Sequence, residues 1–132
     1  MTQQHRLTAD ELLEQARASL DRLTPEQARA AIRDGALLID IRSDSQRKRD
    51  GVIPGSRFIA RNVFEWRCDP ASEWRDQKVV EGASRQGIVI CNEGYQSSLA
   101  AAVLHQFGFA NATDVIGGFQ AWRDAGLPVE SA

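Results

Sequence analysis

The run Gly87-Ile88-Val89-Ile90-Cys91 limits what this chain can fold into more than any other stretch. It is β-branched, bounded by glycine and too short for a helix, so it reads as a buried parallel strand. A polar loop with one glycine follows (Asn92-Glu93-Gly94-Tyr95-Gln96), and a helix-period pattern starts near Ser97. Ligands of open α/β sheets bind where strands deliver their carboxyl ends. Cys91 stands at such an end. Gly94 permits positive φ, and Asn92 tolerates it better than most residues. A loop of this kind turns successive backbone N–H groups inward as an anion nest, and the following helix adds its own free N–H groups. Both features favour a cysteine thiolate. The competing reading is a small buried hydrophobe at a strand end; the placement favours a reactive Cys91.

Strands and helices alternate on either side of this unit. Residues 8–23 carry Leu12, Leu13, Ala16, Leu20 and Leu23 at helical spacing after a Thr8/Glu11 capping pair, which predicts an amphipathic helix packed on the domain's flank. Thr24-Pro25 starts a second helix that stops at Gly35. Ala36–Ile41 is a strand. The charged run to Asp50 is a solvated loop or helix face, and Gly51–Ser56 is turn chemistry. A short strand over 57–60 precedes helix starts at Asn62 and at Asp69-Pro70. The interval 67–82 is loop with a helical turn. Leu99 to Phe107 forms a helix ended by Gly108, Ala112–Ile116 a strand, and 119–124 a closing helix after Gly117-Gly118. The alternation predicts an α/β fold, a parallel sheet covered by helices on both faces. The expected division is an N-terminal helical extension over 1–22 and one domain over 23–130.

The net charge of −2 gives no electrostatic reason to expect nucleic acid or an anionic membrane as partner. No apolar run approaches a bilayer span, and no signal pattern opens the chain. Two cysteines, Cys68 and Cys91, suggest free thiols in a reducing compartment, so the expected location is cytoplasmic.

Four motifs now stand in order: Asp40-Ile41-Arg42; Gly51-Val52-Ile53-Pro54-Gly55-Ser56; the Cys91–Ser97 loop; and Gly117-Gly118-Phe119-Gln120-Ala121-Trp122 with Gly126-Leu127-Pro128-Val129. Together they resemble a single-domain rhodanese over about Leu23 to Val129. The resemblance implies a rhodanese-like fold and a sulfurtransferase. In that family the cysteine takes a sulfane sulfur from a donor such as thiosulfate, becomes a persulfide, and passes the sulfur to cyanide or a thiol. It implies no cofactor and no metal. Partners would be a small sulfur-donor anion or persulfide and a thiol acceptor, free or on a protein. Cys91 would be the nucleophile, and Asn92, Glu93, Gly94, Tyr95, Gln96 and Ser97 would form the substrate-binding loop, with Tyr95 and Gln96 at its mouth.

The chain departs from the family pattern at three positions. Gln96 stands where many members have arginine, Glu93 adds a negative charge, and Val52 replaces the usual turn histidine. The first two weaken the case for thiosulfate as the natural donor, because like charge disfavours anion binding. Arg61 and Arg67 could bring positive charge to the pocket rim, or simply pair with Glu65 or solvent. Arg42 is expected to tie the strand end to its neighbouring loop, with Asp40 as a structural acceptor. Trp122 is expected in the core, whereas Trp66 and Trp74 could wall the pocket. Cys68 reads as incidental rather than as a resolving thiol.

Rival chemistries lack their residues. A cysteine hydrolase needs a histidine base, and only His5 in the leader and His105, expected to face solvent, are present. The same residues give no zinc-ligand spacing. A phosphatase of this fold needs an arginine where Ser97 stands. A non-enzymatic binding or sulfur-relay module remains the alternative.

Overall fold

Three capping boxes fix where three helices begin: Thr8 with Glu11, Thr24 with Gln27, and Ser43 with Gln46. Each side chain accepts from the N3 amide while the N3 side chain accepts from the cap amide, an arrangement worth about 1 kcal/mol per cap. The computed structural model describes residues 6–132, and His5 lies outside them. The elements run α1 (Ala9–Arg17), α2 (Pro25–Arg33), β1 (Leu37–Asp40), α3 (Asp44–Asp50), β2 (Arg57–Phe58), α4 (Phe64–Cys68), α5 (Gln77–Glu81), β3 (Gly87–Ile90), α6 (Gln96–Gln106), β4 (Thr113–Asp114) and α7 (Gly118–Asp124). Short 3₁₀ turns precede α4 and follow α5.

The sheet is parallel throughout in the order β2-β1-β3-β4. Leu38 lies opposite Ile88, and Ile39 opposite Val89, so the two central strands alternate in phase. Leu38, Ile88 and Ile90 enter a core with Ala28, Phe119 and Trp122 from α2 and α7. Ile39, Val89 and Cys91 enter the opposite core with Phe64, Val79, Ala100 and Leu104. Helices thus cover both faces, as the α/β expectation required. Trp122 is buried and donates from Nε1 to Pro128 O at 2.9 Å. Among the described residues no helix is long and apolar enough to cross a membrane.

Several boundaries differ from those expected. The first helix ends at Arg17 rather than near Leu23, because the chain turns there to place Leu20 in the core. Leu23 then adds a single bridge beside β4, donating to Asp114 O at 3.0 Å and accepting from Ile116 N at 2.8 Å. Its apolar spacing comes from core and sheet contacts outside the helix. Asp69-Pro70 starts a turn: Asp69 Oδ1 accepts from Ala71 N at 2.8 Å, satisfying the amide a helix start would leave free. The charged run after Arg42 folds as α3. His105 is half-buried and donates from Nε2 to Ala112 O at 2.7 Å instead of facing solvent.

Candidate active site

Cys91 immediately follows β3, and the residue is 7% exposed. Two backbone amides converge on its sulfur: Gly94 N at 3.1 Å and Ser97 N at 3.3 Å. Ser97 lies in the first turn of α6, so the sulfur also sits at the positive end of that helix. Both N–H groups therefore point at the one atom that a nucleophilic cysteine would use. The nest is therefore present, although its backbone differs from the expectation in one respect. Gly94 alone in the loop has positive φ, at 91°, and Asn92 does not share it. One left-handed residue suffices because neighbouring segments hold the rest of the loop.

Those segments come from the carboxyl-terminal helix. Phe119 N donates to Cys91 O at 2.8 Å, and Gln120 N donates to Asn92 O at 3.1 Å. A Cβ on Gly118 would lie 2.5 Å from Cys91 O, and one on Gly94 would lie 2.8 Å from Gly117 N. The two glycine turns touch backbone to backbone. The glycines permit this approach and supply the positive φ that each turn requires.

Behind the loop, buried Asp114 accepts from Ser97 Oγ and Ser98 Oγ, both at 2.7 Å, and pairs with Arg22 at 2.9 and 3.2 Å. Removing one partner of such a buried ion pair costs about 3–5 kcal/mol. This network fixes the first turn of α6 and so the direction of the Ser97 amide.

In front of the sulfur lies a cleft of about 640 Å³. Cys91, Asn92, Glu93, Tyr95, Gln96 and Arg61 line it, while Gly94 and Ser97 are buried outside that lining with their amides on sulfur. Both readings of Arg61 hold at once: it lines the cleft and pairs with Glu65 at 2.9 Å. Arg67 instead donates to Trp74 O and pairs with Asp76. Trp66 and Trp74 are exposed and do not line the cleft, which corrects the expectation that either walls it. Arg42 is buried, donates to both Asp40 oxygens and to Gly51 O, and stacks 3.7 Å from the Phe119 ring centre. It ties strand to loop as expected. Cys68 is fully buried; burial first, then Asp76 and Glu65, push its thiol up to about 12. It stays protonated and unreactive at neutral pH.

The profile of the Rhodanese-like domain family matches residues 24–125. The chain belongs to this family. Thiosulfate sulfurtransferase GlpE of Actinobacillus succinogenes is 35% identical over 83% of this chain and 90% of its own length. GlpE of Pseudomonas aeruginosa (strain LESB58) is 33% identical over 80% and 86%. The maize adenylyltransferase and sulfurtransferase MOCS3-2 is 35% identical over 87% of this chain, which spans only 25% of that longer protein. Among solved structures, a Rhodopseudomonas palustris protein of unknown function, described as a possible tyrosine phosphatase, superposes with a TM-score of 0.87 at 33% identity, over 98% of this chain and 99% of its own.

Within the rhodanese-like framework, sequence reasoning missed the residues that act on the loop from outside. Asp114, Arg22 and Arg17 carry no motif, and only the fold brings them to the loop. Ser43, Asp44 and Gln46 also line the cleft, at the amino end of α3. Here a signal was present, since Ser43 and Gln46 spell a capping box.

Proposed function

We propose that this protein is a sulfurtransferase that carries sulfane sulfur as a persulfide on Cys91. The observation that carries the reading is the convergence of the Gly94 and Ser97 amides on Cys91 Sγ. The Cys91 thiolate attacks the outer sulfur of a donor such as thiosulfate. A sulfur–sulfur bond forms at Cys91, the donor's own sulfur–sulfur bond breaks, and its electron pair leaves on sulfite. The outer sulfur of the persulfide then accepts attack by a thiolate or cyanide, which restores the Cys91 thiolate. Amides fixed around both anions lower the barrier without moving during reaction.

Arg61, Asp44 and Glu93 give the cleft lining both signs of charge. The lining therefore suits a thiol persulfide at least as well as a small dianion. The sulfurtransferase relatives, among them the maize adenylyltransferase and sulfurtransferase, support the general class. Phosphate transfer is disfavoured because the position of the loop arginine is taken by Ser97, whose hydroxyl is committed to Asp114.

Intact mass after incubation with thiosulfate or glutathione persulfide tests the proposal. One added sulfur atom, removed by thiol and absent in Cys91→Ser, is the expected result. An unchanged mass with every donor points to a non-enzymatic binding module.

A further inference from the structure

Three carbonyls in the sulfur-binding loop are held by groups outside it. Amides of α7 hold Cys91 O and Asn92 O, whereas Gly94 O accepts from two guanidinium groups, Arg17 Nη2 at 2.8 Å and Arg22 Nη2 at 3.0 Å. All peptides among the described residues are trans, and in a trans peptide the C=O and N–H point in opposite directions. Fixing Gly94 O toward the leader segment therefore turns Tyr95 N–H away from that segment.

We propose that Arg17 and Arg22 are positioning residues: they set the Gly94–Tyr95 peptide so that the loop presents its amides to a sulfur anion. This proposal rests on the sulfur-transfer reading above. Two cations converging on one oxygen repel each other, an arrangement that needs anchors. Arg22 is anchored by Asp114, and Arg17 by Ser98 Oγ at 3.0 Å and by its place 5.7 Å from the Tyr95 ring centre. With one carboxylate against two guanidiniums, positive charge remains behind a loop whose own charged side chain is Glu93. A charged donor also polarises the peptide it binds, strengthening its partner N–H. The leader thus supplies from behind a cation that the loop sequence lacks.

Arg17→Gln and Arg17→Lys in the full chain test the assignment. Cys91 alkylation by iodoacetate and by iodoacetamide compares an anionic with a neutral reagent at the same sulfur, beside kcat and KM for transfer from thiosulfate to cyanide and the thermal midpoint. The iodoacetate-to-iodoacetamide rate ratio should fall about tenfold in Arg17→Gln, the scale of one charge-assisted hydrogen bond, with a matching rise in KM. Arg17→Lys, which keeps the charge but reaches one acceptor at a time, should fall between. A wild-type ratio in Arg17→Gln overturns the assignment. If that variant is recovered unfolded, Arg17→Lys decides: a lowered ratio supports the assignment and a wild-type ratio overturns it. A lowered ratio in a protein that accepts no sulfur from any donor upholds the positioning role and rejects sulfur transfer.

Discussion

Under the proposed sulfur transfer, Gln96 and Glu93 set how much charge a sulfur anion would meet on entering the cleft. Both are exposed, and both line it. Gln96→Arg adds a cation at the mouth without touching the buried amides on sulfur. An exposed charge interaction is worth about 0.5–1 kcal/mol, so kcat/KM for thiosulfate should rise roughly two- to fivefold. Turnover measured at low and high salt checks this, since screening should shrink the gain. An unchanged kcat/KM at low salt would show that charge at the mouth does not limit the reaction. The two cysteines show the same dependence on surroundings. One sulfur has amide donors and a cleft; the other has apolar walls and two nearby carboxylates, which keep its proton in place.

The contact between α7 and the loop belongs to the scale of elements. Gly118 has φ of 61°, and a Cβ there would meet the backbone of Cys91, Asn92 and Glu93 within 2.8 Å. Gly118→Ala must therefore push the loop away from α7. A loss of about 2–3 kcal/mol in urea unfolding and at least tenfold in sulfur transfer is expected, on the scale of strained core substitutions. Gly108→Ala provides the contrast, since its φ is 95° but no atom lies within 4 Å of the added Cβ. It should cost stability alone, about 1 kcal/mol, with kcat/KM unchanged. Equal activity losses in the two variants would mean that the contact is not what holds the loop. This scale also marks where the sequence was legible. Strand β3, its cysteine and the loop glycine were readable because alternation and turn chemistry are local. The arginines behind Gly94 were not, because their meaning depends on α1 packing against α6 and on the following segment meeting β4. Spacing carries helix α1 past Arg17 for the same reason: Leu20 and Leu23 are apolar for contacts that spacing alone does not distinguish from helical ones.

At the scale of the whole molecule, two apolar cores grip the sheet, and one carboxylate anchors its far corner. Asp76 is buried and caps α5 while holding Arg57 at 2.9 Å and Arg67 at 3.3 Å. Burial raises its carboxyl, but the Arg57 hydrogen bond, the Val79 amide and the two cations outweigh this and hold it below the ordinary range. A carboxyl lowered by folding adds stability above its unfolded value of about 3.9, and that stability is lost as pH falls through the folded value. The stability gap between wild type and Asp76→Asn should be constant from pH 7 to about 5 and close below pH 4. Urea midpoints across that range test it, and a gap just as wide at pH 3 would assign the effect to packing.

The lone bridge at Leu23 bears on how copies of the protein meet. It takes up the Asp114 carbonyl and the Ile116 amide along the outer margin of β4, groups that would otherwise welcome a strand from a second molecule. The residue that follows the Arg22 tether therefore also occupies the two groups a foreign strand would need here, leaving β2 as the sheet's other margin.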